Sequence, residues 1–167
     1  TASDGLVLLN ADDPHVAGLR GLPAAKVLTY GFKDTADIMV TDYTLTTRED
    51  FSFEPGEEVS KAEFNVDTDG EKLHIELINM LGTTAAGTMA PAIAIAKYLK
   101  LTNDQILRKI PEVQFEPGRM NTLAGIKGSL IIDSSYNAAP ASMVAALEAL
   151  SQFHVIESSR RIAVLGH

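Results

Sequence analysis

The alternation of apolar and polar positions divides the chain into three stretches of different texture. Leu6-Val7-Leu8-Leu9 is wholly apolar, as expected of a parallel strand covered on both faces, and Asn10-Ala11-Asp12-Asp13-Pro14 ends it. A short helix is expected over His15–Leu19, before the break at Gly21-Leu22-Pro23, and a second strand over Lys26–Phe32. The opening therefore reads as an α/β unit. Four short alternating segments follow: Ala36–Leu45, Asp50–Glu54, Ala62–Val66 and Lys72–Ile78. In Lys72–Ile78, Leu73, Ile75 and Leu77 share one face, while His74 and Glu76 share the other. That period of two predicts antiparallel strands with one wet face, separated by turns at Glu54-Pro55-Gly56 and Asp67-Thr68-Asp69-Gly70.

Helical spacing takes over next. Thr88–Leu99 is rich in alanine, and Pro91 is expected in its first turn, where a missing N–H does no harm. Thr102-Asn103-Asp104-Gln105 has the form of a capping box and predicts a helix from Asn103 to about Ile110, ended near Pro111. After Pro117-Gly118 a new alternation begins, with a strand over Ser129–Ile132, a helix over Pro140–Phe153 and a strand over Arg161–Leu165. Met143, Ala146, Leu147, Leu150 and Phe153 form the apolar stripe of that helix. A domain boundary is expected near Glu112–Pro117. A parallel sheet that stops at its second strand is incomplete, so the chain reads as cut from a longer one.

Composition narrows the function classes. Hydrophobic residues make up 46% of the 167, ample for a packed core. Lys and Arg number 14 against 22 Asp and Glu, a net charge of -8, which argues against a non-specific nucleic-acid binder. A small anionic ligand stays open, because a few arginines and backbone amides suffice to bind one. The absence of cysteine excludes disulfide scaffolds and thiolate metal sites. No apolar run approaches the length of a membrane span, and the first ten residues lack the form of a signal peptide, so a soluble cytoplasmic protein is expected.

Three stretches carry candidate chemistry. In Ile131–Ser142 a β-branched strand stops at Asp133, Asn137 lies in the loop and Pro140 opens a helix. Ligands of α/β sheets bind beyond such strand ends. Asp133 there either addresses a ligand hydroxyl or a metal-bound water, or it caps the turn together with Ser135. Arg119, in Gly118-Arg119-Met120-Asn121, is either an oxyanion fork or an exposed surface arginine. Asn10, Asp12 and Asp13 hold a ligand or magnesium, or are ordinary turn formers before Pro14. Gly82–Thr88 has the look of a glycine-containing anion loop, but it lacks the lysine of a P-loop and reads as the start of a helix. No G-x-x-x-x-G-K-[ST] occurs in the chain. The four histidines, at positions 15, 74, 154 and 167, show no metal-ligand spacing.

Four blocks in order resemble the Mur ligase family, the ATP-dependent amide ligases that build the peptidoglycan stem peptide. They are GLVLLNADDP (5–14), the glycine-to-helix stretch 82–96, PGRMNTL (117–123) and LIIDSSYNAAPASMVAALEAL (130–150), with RRIAVLG (160–166) after them. The similarity is strongest to members that join D-alanyl-D-alanine to a UDP-N-acetylmuramoyl tripeptide. The resemblance implies an α/β fold. Residues 1–115 would be the later half of a P-loop-type central ATPase domain with a small antiparallel β subdomain. Residues 116–167 would be the first β-α-β of a Rossmann-like C-terminal domain. The P-loop and the carbamylated lysine of the family would lie before Thr1, so the chain alone is expected to be inactive.

The resemblance also implies roles. Arg119 would approach the ATP phosphates, Asp133 would lie near the ribose, and Tyr136 and Asn137 would form the loop beside it. In the family reaction a substrate carboxylate attacks the γ-phosphate to give an acyl phosphate, and the incoming amine displaces phosphate. ATP and Mg2+ are implied for the parent protein, with the main magnesium site outside this chain and no metal site within it. Two stretches depart from the family pattern. A His-Asn pair and a further Asn are replaced by Thr84, Ala85 and Thr88, where adenine-side contacts are expected. D-D-S-Y-N-A-N-P is D-S-S-Y-N-A-A-P here, with Ser134 and Ala139 exchanged. These changes motivate an alternative, a non-catalytic Mur-like module that binds a nucleotide or a partner without turnover.

Overall fold

The structure is a computed structural model that describes residues 5–21, 26–48, 54, 56–114, 116–153 and 159–166. Its strands and helices run β1 (Leu6–Asn10), α1 (Pro14–Ala17), β2 (Lys26–Gly31), β3 (Ile38–Thr47), β4 (Ser60–Thr68), β5 (Glu71–Ile78), α2 (Gly82–Tyr98), α3 (Asn103–Lys109), β6 (Asn121–Ala124), β7 (Leu130–Asp133) and α4 (Pro140–Gln152). The strands form a five-stranded sheet in the order β1-β2-β3-β4-β5 and a two-stranded sheet of β6 and β7. The strand expected over Asp50–Glu54 falls almost wholly outside the described residues. Contacts group the chain into two units: Thr1–Tyr43, Glu63–Ile75 and Ala85–Pro111 in the first, and Thr44–Ala62, Glu76–Thr84 and Glu112–His167 in the second.

In the first unit β1 and β2 pair in parallel from Leu6↔Lys26 to Asn10↔Tyr30. Asp12 fastens their carboxyl ends: its carboxylate accepts from the Phe32 amide at 3.0 Å and the Lys33 amide at 3.2 Å. That approach requires glycine at 31, since a Cβ there would stand 2.6 Å from Asp12 Oδ2. Asp13 caps α1 by accepting from the His15 amide at 2.8 Å, and Pro14 opens the helix. Asp37 accepts from the Thr29 amide and hydroxyl, both at 2.8 Å, and from Arg20 at 2.6 Å. Burial alone would raise the Asp37 carboxyl; these three donors overcome it and hold it below its ordinary value.

The long strands show the expected period of two, with Ser60, Ala62, Phe64, Val66 and Thr68 buried on β4 and Leu73, Ile75 and Leu77 on β5. Only Asp69 and Gly70 join these adjacent strands, both at positive φ (53° and 79°), the pattern of a type I′ hairpin turn, so the pair is antiparallel. β3 and β4 are antiparallel too: the Arg48 amide meets Val59 O, the Thr46 hydroxyl meets Lys61 O, and Asn65 meets Asp42, one index rising as the other falls. At its start β3 instead pairs in parallel with β2, over Tyr30↔Ile38 and Gly31↔Met39.

Three expectations change. α2 starts at Gly82 rather than Thr88, which places Pro91 inside the helix and not in its first turn. The ring stands where the helix would bond to the carbonyl of Gly87, one turn back, and the helix buries Ala85, Ala86, Met89 and Ala90 before the proline and Ile93 and Ala94 after it, so packing on both sides holds it together across the break. α3 forms as expected, with both arms of the capping box present: Thr102 Oγ1 accepts from the Gln105 amide and Gln105 Oε1 from the Thr102 amide. In the second unit the strand expected over Arg161–Leu165 is not formed. Residues 159–166 have no regular structure, and Ile162, Val164 and Leu165 are exposed. β7 pairs with β6, antiparallel from Asn121↔Asp133 to Ala124↔Leu130. The turn between them, closed by Gly125 N–H to Ser129 O at 2.7 Å, demands less chain ordering than a crossover connection.

α4 is held by Ala149 and Phe153, which pack with Leu81 and Met120 while Leu130, Ile132 and Ala146 flank them. The expected stripe serves two neighbours: Phe153 joins this core, Met143, Leu147 and Leu150 line an adjoining cleft, and Ala146 touches both.

Candidate functional site

The turn after Pro117 sets the direction of Arg119. Gly118 and Met120 on either side both take positive φ, 78° and 60°. Met120 points inward, 9% exposed, and its carbonyl accepts from the Leu81 amide at 2.9 Å. Arg119 therefore points out. Its own amide donates to Asn121 Oδ1 at 3.1 Å, closing the turn. Among the described residues no carboxylate pairs with the guanidinium.

The second loop runs from Asp133, at the end of β7, to Ala139. Asp133 Oδ1 accepts from the Ser135 amide at 3.1 Å and from its hydroxyl at 2.7 Å, the cap expected of these residues in a turn. Asn137 Oδ1 accepts from the Ala138 amide at 2.8 Å. The two loops are joined where the Tyr136 amide donates to Gly118 O at 3.1 Å. A Cβ at 118 would lie 3.0 Å from Tyr136 N and 3.2 Å from Tyr136 Cβ, so the contact needs a glycine for its space as well as for its φ. Above that junction the Arg119 guanidinium carbon stands 4.1 Å from the centroid of the Tyr136 ring.

Asp133, Ser134, Ser135, Asn137 and Ala138 form the polar end of a cleft of about 530 Å³, and among the described residues that line it Asp133 is the only charged one. The rest is apolar, contributed by β7, α4 and residues 162–166. α4 begins beside this polar end with Pro140 in its first turn and Ala139 as N-cap, and no side chain caps it. The first-turn amides, at the positive end of the helix dipole, are left to other acceptors. Restoring a capping side chain at this position, Ala139→Asn, is expected to stabilise the chain by about 1 kcal/mol. Thermal unfolding checks it: a midpoint that does not rise would show the helix start is satisfied in another way.

The remaining candidates lie on other elements. Asp12 and Asp13 are occupied with tying and capping, as described, and Asn10 Oδ1 accepts from the Asp12 amide at 2.9 Å. Turn formation thus accounts for all three. Thr84 and Thr88 lie one turn apart on an exposed face of α2, Thr84 in the second unit and Thr88 in the first. The loop cluster fits an anionic, hydroxyl-bearing ligand such as a nucleotide: an exposed guanidinium, an uncapped helix start, and an Asp133 carboxylate with one oxygen uncommitted. A magnesium ion fits it poorly, since one carboxylate already engaged by Ser135 is a thin donor set. The Tyr136 stack has no signature in the sequence, because it depends on two loops 14 or more residues apart meeting in space, whereas Asn121 closes its turn locally as asparagine commonly does.

No protein-family model matches the chain. The UDP-N-acetylmuramoyl-tripeptide--D-alanyl-D-alanine ligase of Mycobacterium bovis is 30% identical over 167 residues, 97% of this chain and 30% of that protein. The UDP-N-acetylmuramoyl-L-alanyl-D-glutamate--2,6-diaminopimelate ligase of Lactiplantibacillus plantarum is 26% identical over 149 residues, 89% of this chain and 27% of that protein. Among solved structures, MurF ligase from Thermotoga maritima in complex with ADP superposes with a TM-score of 0.70 at 19% identity, covering 92% of this chain and 32% of that one. The shared fold is a mixed α/β segment. The chain is similar to Mur ligases along nearly its whole length, and it spans about 30% of the length of the curated relatives it matches. Among the described residues no helix is long and apolar enough to cross a membrane.

Proposed function

We propose that the chain is part of an ATP-dependent amide ligase of peptidoglycan-precursor synthesis, and that its two joined loops face the nucleotide. The observation that supports this reading is the Tyr136 N–H to Gly118 O bond, which unites the Gly118-Arg119-Met120 and Asp133–Ala139 blocks into one polar surface. Arg119 supplies positive charge to the transferring phosphoryl group, Asp133 accepts from a ribose hydroxyl, and Asn137 and Tyr136 shape the loop around it. Thr84 and Thr88 belong to the adenine side. In this reading residues 1–115 are the later part of the central ATPase domain and 116–167 the start of the C-terminal domain.

The reaction class is carboxylate activation through an acyl phosphate, followed by attack of an amine. The chain's own residues orient and neutralise charge; magnesium, held elsewhere in the parent, would add to that neutralisation. The proposed substrates are a UDP-N-acetylmuramoyl peptide and D-alanyl-D-alanine, favoured by the identity to the Mycobacterium enzyme over that to the diaminopimelate-adding one. With no phosphate-cradling P-loop motif among its 167 residues, the chain alone transfers no phosphoryl group in this reading.

The test is phosphate release by the full-length parent with ATP, the UDP-N-acetylmuramoyl tripeptide and D-alanyl-D-alanine. Release that requires both substrates, with the amide product identified by mass, is the expected result. Nucleotide that binds and is never consumed would instead favour a Mur-like binding module. That second reading has its own support in Ala139, which leaves α4 uncapped where the family pattern has an amide side chain.

A further inference from the structure

Arginines that meet phosphate are commonly held in place by a carboxylate, which fixes the guanidinium but also neutralises it and occupies its donors. Arg119 is held differently. Its guanidinium lies over the face of Tyr136, 4.1 Å from the ring centroid, and among the described residues no acidic side chain pairs with it. An aromatic face attracts a cation through its quadrupole without taking an N–H, so charge and hydrogen-bonding edge both stay available.

The backbone builds this stack deliberately. Gly118, flanking Arg119, accepts from the Tyr136 amide at 3.1 Å, and its missing side chain lets Tyr136 Cβ approach. Left-handed Met120 on the other side turns its side chain into the core and leaves Arg119 facing the ring. The Tyr136 ring is itself 64% exposed, so its burial does not explain its place in the loop.

We infer that Tyr136 is a positioning residue: its ring orients the Arg119 guanidinium toward an incoming phosphate while leaving its positive charge and N–H donors free. The inference rests on the nucleotide-facing reading of Arg119 for its functional consequence, but the stack itself stands apart from that reading.

Two measurements test it. In the 167-residue chain, the NMR resonances of the Arg119 Cδ protons should be shifted by the ring current. Tyr136→Leu should abolish the shift and Tyr136→Phe should keep it; a shift unmoved in Tyr136→Leu overturns the stack. In the full-length parent, Tyr136→Leu should lower kcat about fivefold, the effect of losing an exposed cation–π contact, with KM for ATP little changed and Tyr136→Phe close to wild type. Tyr136→Leu should cost nothing further in an Arg119→Ala background. An equal loss in both backgrounds would mean that Tyr136 acts through loop structure rather than through Arg119, and overturns the inference. Undiminished turnover in Arg119→Ala alone would overturn the phosphate reading, and would be told apart from failure of the stack by the NMR result.

Discussion

Arg119→Ala in the full-length parent is expected to lower turnover by about two to three orders of magnitude while leaving the folded structure intact. The size follows from the chemistry. Phosphoryl transfer gives a protein little covalent work, so charge placed on the transferring group carries much of the rate, and deleting one such donor costs about 3–4 kcal/mol of activation free energy. The structural cost should be small, because the side chain is exposed and its fixed contacts are the Tyr136 face and a main-chain bond to Asn121 that alanine retains. Arg119→Lys should recover only part of the loss, since an ammonium keeps the charge and loses the planar fork. Single-turnover kinetics with thermal unfolding on the same samples separate the outcomes. Full activity in Arg119→Ala would remove the phosphate role, and a fall in turnover matched by a fall in melting temperature would assign the arginine to the loop's structure.

The sequence was most legible where local chemistry decides the outcome. Thr102 and Gln105 specify a capping box by spacing alone, and alternation in Lys72–Ile78 fixes which side chains are buried whatever the strand pairs with. It was less legible where a choice depends on distant partners. Pro91 reads as a first-turn residue because proline is tolerated there; the helix runs through it, with Met89 and Ala90 buried before it and Ile93 and Ala94 after it. Ile162, Val164 and Leu165 have the pattern of a strand and line a cleft beside β7, but their alternation does not decide whether a ladder forms there, and none does among the described residues. The site divides in the same way. Asp133 and Ser135 cap their turn as their types predict, whereas the meeting of Gly118 with Tyr136 follows from two loops closing on each other.

Asn79→Ala is expected to destabilise the second unit by about 4 kcal/mol, a large part of a domain's usual margin. Asn79 takes a left-handed φ of 54° just after β5 and turns the chain toward β6. Its Oδ1 accepts from the Val59 amide at 2.8 Å and the Ser60 amide at 3.2 Å, its Nδ2 donates to Glu57 O at 2.9 Å, and its carbonyl receives the Thr122 amide at 3.0 Å. Val59, Ser60 and Thr122 are almost wholly buried, so water cannot replace what alanine removes. Two buried amides without acceptors cost about 1–3 kcal/mol each, and a left-handed alanine adds about 1 kcal/mol. Asn79→Gly separates the causes: it relieves the backbone while the side-chain hydrogen bonds stay lost, so denaturant unfolding at unchanged slope should find it about 1 kcal/mol more stable than Asn79→Ala. Equal midpoints for alanine and wild type would show that the knot is dispensable. The consequence reaches the site, because Met80 bridges to Asn121 and the Leu81 amide binds Met120 O, both within the turn that aims Arg119. A chain that survives Asn79→Ala should therefore also lose the ring-current signature of the Arg119–Tyr136 stack, linking the stability of this crossing to the orientation of the arginine.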